Sequence, residues 1–284
     1  MDAYEFKLSQ EEQISKITRI RKASKGVYFF EHVFSDSSDS PFNFRWLFEE
    51  LKTVRGSLGV TKSKLGIPRC PSPIAPRSKS HAIVFELEDT FTRTIKGDVI
   101  SADFRFMLSS TQGPVCKSTF LRPSAKEVLT RLARSFDLYI FTTSSQESAD
   151  RVLNFLDPFG TFFSMRLYRQ HCHINRKTNR FIKLPETVQR PINELLFVDT
   201  ALSSIQNYKE SAVPLIPYLG NPEDRQLLEL EAILYKAATE PNINDFLREQ
   251  FHLEALSRVE TEIQLIDKIH NRICIWPAMK KSLD

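Results

Sequence analysis

Glycine is scarce in this chain, with 8 in 284 residues. None stands in a G-x-G-x-x-G or G-x-x-x-x-G-K pattern, so neither a dinucleotide-binding turn nor a P-loop is expected. Cysteine is scarcer still. Cys70, Cys116, Cys172 and Cys274 lie far apart and form no C-x-x-C. That argues against a zinc site or disulfide framework and for a reduced, intracellular setting. His171-Cys172-His173 gathers three ligand types, but no distant pair sits at finger spacing, so a structural or surface role is expected. No apolar run approaches the roughly 18 residues of a membrane span, and no transmembrane segment is expected. The N-terminus lacks the apolar core of a secretory signal. Its early acids (Asp2, Glu5, Glu11, Glu12) argue against a transit peptide. The net charge is only +4 and basic residues alternate with acidic ones, so specific nucleic-acid binding is not expected.

What the chain does have is an ordinary soluble balance, 41% hydrophobic and 26% charged, with 22 phenylalanines for a large core or an aromatic interface. Its length suits one large domain or two small ones. Residues 1–79 read as an N-terminal extension. Ser9 and Glu12 form a capping box, and Ile14 and Ile17 begin a short amphipathic helix. Lys16, Arg19, Arg21, Lys22 and Lys25 make the end of that helix basic. The plain reading is a solvated face, and the alternative is an anionic docking patch. Residues 35–41 read as a loop, Phe44 to Val54 as a helix, and the proline-rich stretch Pro68 to Pro76 as a linker.

Over residues 80–250 the pattern changes to strands alternating with helices. Strands are expected at Ala82–Glu86, Leu138–Thr142, Phe162–Tyr168 and Glu194–Asp199, with a β-rich stretch around Val99–Met107 and Val115–Leu121. Helices are expected at Ser124–Phe136 and Ser145–Leu156. Uninterrupted apolar strands separated by helices predict an α/β fold with a parallel central sheet covered on both faces. Residues 251–284 read as a C-terminal helix and tail. Leu256, Val259, Ile263, Ile266 and Ile273 form a stripe that either packs on its own domain or meets a partner helix.

The chemistry-bearing groups fall at the carboxyl ends of the apolar strands, where open α/β sheets place their sites. The first strand ends in Glu86, Glu88 and Thr90. The strand at Leu138–Thr142 ends in Thr142-Thr143-Ser144, and the one at Glu194–Asp199 in Asp199-Thr200. Lys183 lies between the last two. Carboxylates, hydroxyls and a lysine at one sheet edge are the parts of a magnesium-assisted phosphoryl site.

In that context several short motifs become familiar. Residues of about 80–250 resemble the haloacid-dehalogenase-like phosphatase domain of the RNA polymerase II C-terminal-domain phosphatases, the NLI-interacting-factor type. The family's first strand ends D-x-D-x-T, and here the sequence is Glu86-Leu-Glu-Asp-Thr90. Ala102-Asp-Phe104, Leu121-Arg-Pro123, Ile140-Phe-Thr-Thr-Ser144, Leu156-Asp-Pro158, Leu167 to Cys172, Ile182-Lys183 and Phe197-Val-Asp199 fall in the family's order. The resemblance implies a three-layer, Rossmann-like fold with a small β insertion after the first motif. It also implies a nucleophile at position 86, a general acid/base at 88, and phosphate binding by Thr90, Thr142 and Lys183. Magnesium would be held through positions 86, 88, 199 and 200.

Three of those positions depart from the pattern: Glu86, Glu88 and Thr200. A glutamate carries its carboxylate roughly 1 Å beyond an aspartate's. Attack requires about 3–3.5 Å to the reacting atom, and a 1 Å error costs on the order of 100-fold. Two misplacements and a lost ligand together predict a loss of about 10⁴-fold or more. The expected function is therefore a pseudophosphatase, a protein-binding or structural subunit of a larger assembly, with no cofactor. The alternatives are an active magnesium-dependent Ser/Thr phosphatase in which Glu86 still attacks, and a phosphopeptide binder that cannot hydrolyse. The chain is also similar to the presequence-translocase receptor subunit of the mitochondrial inner membrane, through Leu87-Glu-Asp89, Asp199-Thr200 and Asp224 to Leu228. That similarity favours the mitochondrion over nucleus or cytoplasm.

Overall fold

A computed structural model of the chain describes residues 10–25, 28–34, 40–56, 65, 66, 68 and 70–275. Asp2, Glu5, Ser9 and residues 35–39, which figure in the sequence reading, lie outside them. The chain divides into two compact units, residues 1–56 with 253–284 and residues 57–252. The two terminal segments, read separately from the sequence, thus belong to one unit.

That unit is helical. It contains α1 (Gln10–Ala23), α2 (Phe30–Phe34) and α3 (Ser40–Gly56). Ser40 and Pro41, read as loop, begin α3, because a proline in the first helical turn forfeits no intrahelical hydrogen bond. Phe29 meets Phe30 and Trp46 edge-on, and Phe34 packs on Phe44. Part of the phenylalanine excess is thereby used as core.

The second unit opens with β1 (Ala82–Phe85), β2 (Thr92–Lys96), β3 (Phe104–Leu108) and β4 (Val115–Leu121). Then follow α4 (Ala125–Ser135), β5 (Asp137–Phe141), α5 (Gln146–Leu156) and β6 (Phe163–Leu167). A hairpin of β7 (His173–Asn175) and β8 (Arg180–Ile182) precedes α6 (Pro185–Val188), β9 (Leu195–Asp199) and β10 (Ala212–Pro214). Helices α7 (Gln226–Thr239) and α8 (Ile243–Phe251) close it. The central sheet has the order β10-β9-β1-β5-β6, and its neighbours pair in parallel. Strands β1, β5 and β9 are buried at every position, which is why they read as unbroken apolar runs. The small insertion is the antiparallel sheet β2-β4-β3. Its strand β2 escapes the sequence reading because Thr-Arg-Thr-Ile-Lys carries no apolar run, and β3 starts later than expected, at Phe104. The β7–β8 hairpin also went unread, being only three residues per strand.

The chain then returns to the helical unit through α9 (Leu253–Leu256) and α10 (Glu262–His270), ending in a π-helical turn, Asn271–Ile275. Thr261 caps α10 by accepting from the Gln264 N–H. Leu256, Val259 and Ile266 of the C-terminal stripe are buried, and α10 packs on α1, so this stripe is spent inside its own unit.

Candidate functional site

Strand β1 is the middle of the five, flanked by β5 and β9, so the carboxyl ends of these three strands adjoin. In-register pairing sets Phe85 beside Ile140 and Val198. One or two residues later come Glu86, Thr142 and Asp199. The chain leaves β1 in a tight turn, with Asp89 at φ 59, a left-handed conformation that aspartate tolerates better than most residues.

Arg122, at the end of β4, holds this turn from behind. It is 1% exposed. Its Nε and Nη2 donate to the two Asp224 carboxylate oxygens, both at 2.9 Å. Its guanidinium also donates to the carbonyls of Thr90 (3.3 Å) and Ile216 (3.1 Å). The Tyr218 N–H donates to the Asp89 carbonyl, which ties the turn to the chain after β10. A guanidinium offers five donors in a fixed fork, and here most of them meet buried acceptors.

At the strand ends lies a buried ion triad. Lys183, 1% exposed, extends its ammonium between two carboxylates: 2.5 Å to Glu86 Oε2 and 2.6 Å to Asp199 Oδ2. Glu86 Oε1 accepts from the Leu87 N–H, and Oε2 also accepts from the Thr143 N–H. Asp199 Oδ1 accepts from the Ala201 N–H, and Oδ2 also from the Ser204 hydroxyl. Burial alone would lower the lysine's affinity for its proton, but Asp199 and Glu86 outweigh it and hold the ammonium firmly charged. Burial pushes the Asp199 carboxyl above its ordinary range, and Lys183 offsets only part of the rise.

The other expected site residues do not join this triad. Glu88 turns toward the insertion, where it accepts from the Thr94 N–H. Burial raises its pKa to about 7, with the neighbouring Asp89 adding to the rise. The Thr142 hydroxyl accepts from the Ser144 N–H. Thr90 is fully buried, and its hydroxyl has no hydrogen-bond partner among the described residues. Thr200 is nearly buried beside Asp199.

Ser204 was not singled out from sequence, and Arg122 and Asp224 stood there only inside the motifs that carry the resemblance, not as a pair. Ser204 has no motif around it. Arg122 and Asp224 sit 102 positions apart, and nothing in their separate motifs tells that they pair. His171-Cys172-His173 proves structural. His171 Nδ1 accepts from the Tyr168 N–H, the Cys172 thiol faces the carbonyls of Thr142 and Tyr168, and His173 opens β7.

A magnesium shell requires near-octahedral oxygen ligands with lone pairs to spare. Glu86 Oε2 and Asp199 Oδ2 each accept two hydrogen bonds, whereas Glu86 Oε1 and Asp199 Oδ1 each accept one backbone N–H and keep a lone pair. Among the described residues no group of three or more His, Cys, Asp or Glu side chains is arranged to hold a metal. Two carboxylates already paired with an ammonium are a sparse donor set for a divalent cation.

Residues 81–246 match the family model described as NLI interacting factor-like phosphatase. The chain belongs to that family. It is 30% identical over 164 residues to a probable C-terminal domain small phosphatase of Dictyostelium discoideum, covering 57% of this chain and 52% of the relative. It is 24% identical over 219 residues to nuclear envelope morphology protein 1 of Schizosaccharomyces pombe, covering 74% and 44%. A human carboxy-terminal domain RNA polymerase II polypeptide A small phosphatase 1 is 27% identical over 180 residues, covering 63% and 67%. The chain thus spans about half the length of the first two relatives. Among solved structures, the essential RNA polymerase II CTD phosphatase Fcp1 aligns at a TM-score of 0.43 and 13% identity, covering 71% of this chain and 64% of that one.

Proposed function

We propose that this member of the phosphatase family is a pseudophosphatase, using the fold as a protein-binding or structural subunit of a larger assembly. One observation carries the reading: Lys183 closes on Glu86 and Asp199 at 2.5 and 2.6 Å. An attacking carboxylate needs a free oxygen directed at phosphorus. Both oxygens of Glu86 are hydrogen-bonded to the protein itself. The residue at the acid/base position is drawn to Thr94, away from the triad. Thr200 offers a hydroxyl where the family pattern expects a metal-binding Asn or Asp. The same triad disfavours a phosphopeptide reader. Two carboxylates and one ammonium leave the cleft negative, so an incoming phosphate would meet net repulsion.

An intracellular location belongs to this reading and is supported by the reduced-cysteine composition. The name of the fission-yeast relative points to the nuclear envelope, whereas a mitochondrial address rests on the translocase resemblance alone.

Steady-state hydrolysis of p-nitrophenyl phosphate with magnesium tests the proposal. The expected rate is indistinguishable from buffer. Turnover that disappears in Glu86→Ala would sink it. The triple reversion Glu86→Asp, Glu88→Asp, Thr200→Asn is expected to gain measurable hydrolysis, because it restores the reach of both carboxylates and one ligand.

A further inference from the structure

Leu65, Gly66 and Cys70, in the stretch between α3 and β1, line up along the β7–β8 hairpin as an added strand. Leu65 forms an antiparallel bridge with Asn175. The Gly66 N–H donates to the Ile174 carbonyl at 2.8 Å, and the Cys70 N–H donates to the Gln170 carbonyl at 3.3 Å. These three contacts share one register, with 65 opposite 175, 66 opposite 174 and 70 opposite 170. The segment thus lies on the edge of β7 that β8 leaves open. The Leu65 side chain is buried in a cluster with Ile182 and Leu184. Ile182 ends β8, and Lys183 of the triad follows it directly. The hairpin turn is held by its own side chain: Asn175 Oδ1 accepts from the N–H groups of Lys177 (3.0 Å) and Thr178 (3.3 Å).

The added strand is lightly held. Among its described residues, Gly66 and Cys70 supply the backbone donors to the hairpin, and Leu65 supplies the buried apolar side chain. Pro68 and Pro71 have no N–H to give. Ordering an extended segment costs conformational entropy, which so few contacts offset only narrowly. The register also carries a charge preference. A foreign strand in the same register would bring the residues before its Leu65 position toward Arg176 and Lys177, both exposed at the turn. Acids there would be attracted, and like charges repelled. The chain's own sequence has Lys62 and Lys64 in that stretch.

We propose that the open edge of β7 is a docking site for an extended segment of a partner protein, with an aliphatic residue at the Leu65 position preceded by acidic residues. The chain's own segment is its exchangeable occupant. Backbone hydrogen bonds recruit the incoming strand, Ile182 and Leu184 select the aliphatic residue, and Arg176 and Lys177 select the acids. This surface serves the binding role proposed above and rests on that reading, but its test reads binding alone and is independent of hydrolysis.

The test uses the full chain and fluorescein-labelled peptides under reducing conditions, followed by fluorescence anisotropy. The acidic peptide has the sequence of residues 61–71 with Lys62→Glu and Lys64→Glu, and a control peptide adds Leu65→Asp. Two variants of the chain vacate the edge: Leu65→Asp breaks the apolar seat, and Gly66→Pro removes an N–H donor. Both should bind the acidic peptide saturably and at least about tenfold more tightly than the parent, whose edge must first be vacated. The control peptide should bind the Leu65→Asp chain at least about tenfold more weakly than the acidic peptide does. Adding Arg176→Glu and Lys177→Glu to that chain should weaken the acidic peptide by a similar factor. The proposal is overturned if neither variant, folded by circular dichroism, binds the acidic peptide, or if parent and variants bind it alike. It is equally overturned if the control peptide or the charge-reversed chain binds as tightly.

Discussion

Replacing Lys183 with methionine is the sharpest perturbation this structure offers. The side chain is 1% exposed and carries the sole ammonium between two buried carboxylates, at 2.5 and 2.6 Å. Methionine has a similar length and no charge, so packing is nearly kept while both carboxylates lose their counter-ion. Removing one partner of a buried ion pair costs about 3–5 kcal/mol. For a domain of about 150–250 residues, each kcal/mol moves the melting temperature by roughly 2–4 °C, so a fall of about 6–20 °C is expected. The loss must also depend on pH. Without Lys183, Asp199 is expected to hold its proton more tightly in the folded chain than in the unfolded one, because burial already raises it and Lys183 opposes the rise. A carboxyl raised on folding contributes stability at low pH and forfeits it as pH rises through its folded pKa. The deficit of the variant should therefore be smaller near pH 5 than near pH 8. Urea unfolding at both values, followed by fluorescence, measures it. The companion triple Glu86→Gln, Lys183→Met, Asp199→Asn removes every charge at once and should recover much of the loss. A single variant within about 1 kcal/mol of the parent would refute the triad as a stabilising element. A triple as poor as the single would instead trace the loss to packing.

Glu88 has its pKa raised to about 7 by burial. Its contribution to stability is present below the ordinary carboxylate range near 4.3 and is lost as pH rises through 7. Glu88→Gln should flatten the fall in stability between pH 5 and pH 8, as read by the same urea titrations. Arg122→Met should cost about 3–5 kcal/mol in chemical denaturation, because it strands Asp224 and frees the carbonyls of Thr90 and Ile216. Cys70 is exposed, whereas Cys172 is buried with its thiol pushed up to about 12 by desolvation. An aromatic disulfide reagent at pH 8 should label Cys70 rapidly in the folded chain and Cys172 only after unfolding.

The sheet was readable because its central strands are buried on both faces. Ile83-Val84-Phe85, Leu138 to Phe141 and Leu195 to Val198 carry no polar interruption, and burial at every position explains it. Strand β2 was not readable, since Thr92 to Lys96 pairs by backbone in a half-exposed sheet that needs no apolar run. The positions of Glu86, Thr142 and Asp199 followed from one rule, that sites gather where parallel strands end. Their partners did not follow. Nothing local tells that Lys183 reaches residues 97 positions before it and 16 after it. Nor does spacing reveal that Glu88 bends to Thr94. The union of the two chain ends was equally hidden, because the stripe on α10 fits an intramolecular helix and a foreign one alike.

The glutamate at position 86 and the closed triad explain one another. A carboxylate one methylene longer can place one oxygen on the Leu87 N–H at 2.9 Å and still set the other on Lys183. It therefore satisfies its hydrogen bonds within the protein. Asp199 does the same through Ala201, Ser204 and Lys183. The Lys183 ammonium of this triad offsets the repulsion between the two carboxylates at the strand ends. Shortening Glu86 alone to aspartate should then weaken the Lys183 contact without supplying the missing ligand at Thr200. The single reversion is expected to lose stability and gain no hydrolysis, whereas the triple reversion trades the first for the second. Hydrolysis by Glu86→Asp alone, measured with p-nitrophenyl phosphate and magnesium, would contradict the idea that the three positions act as one unit.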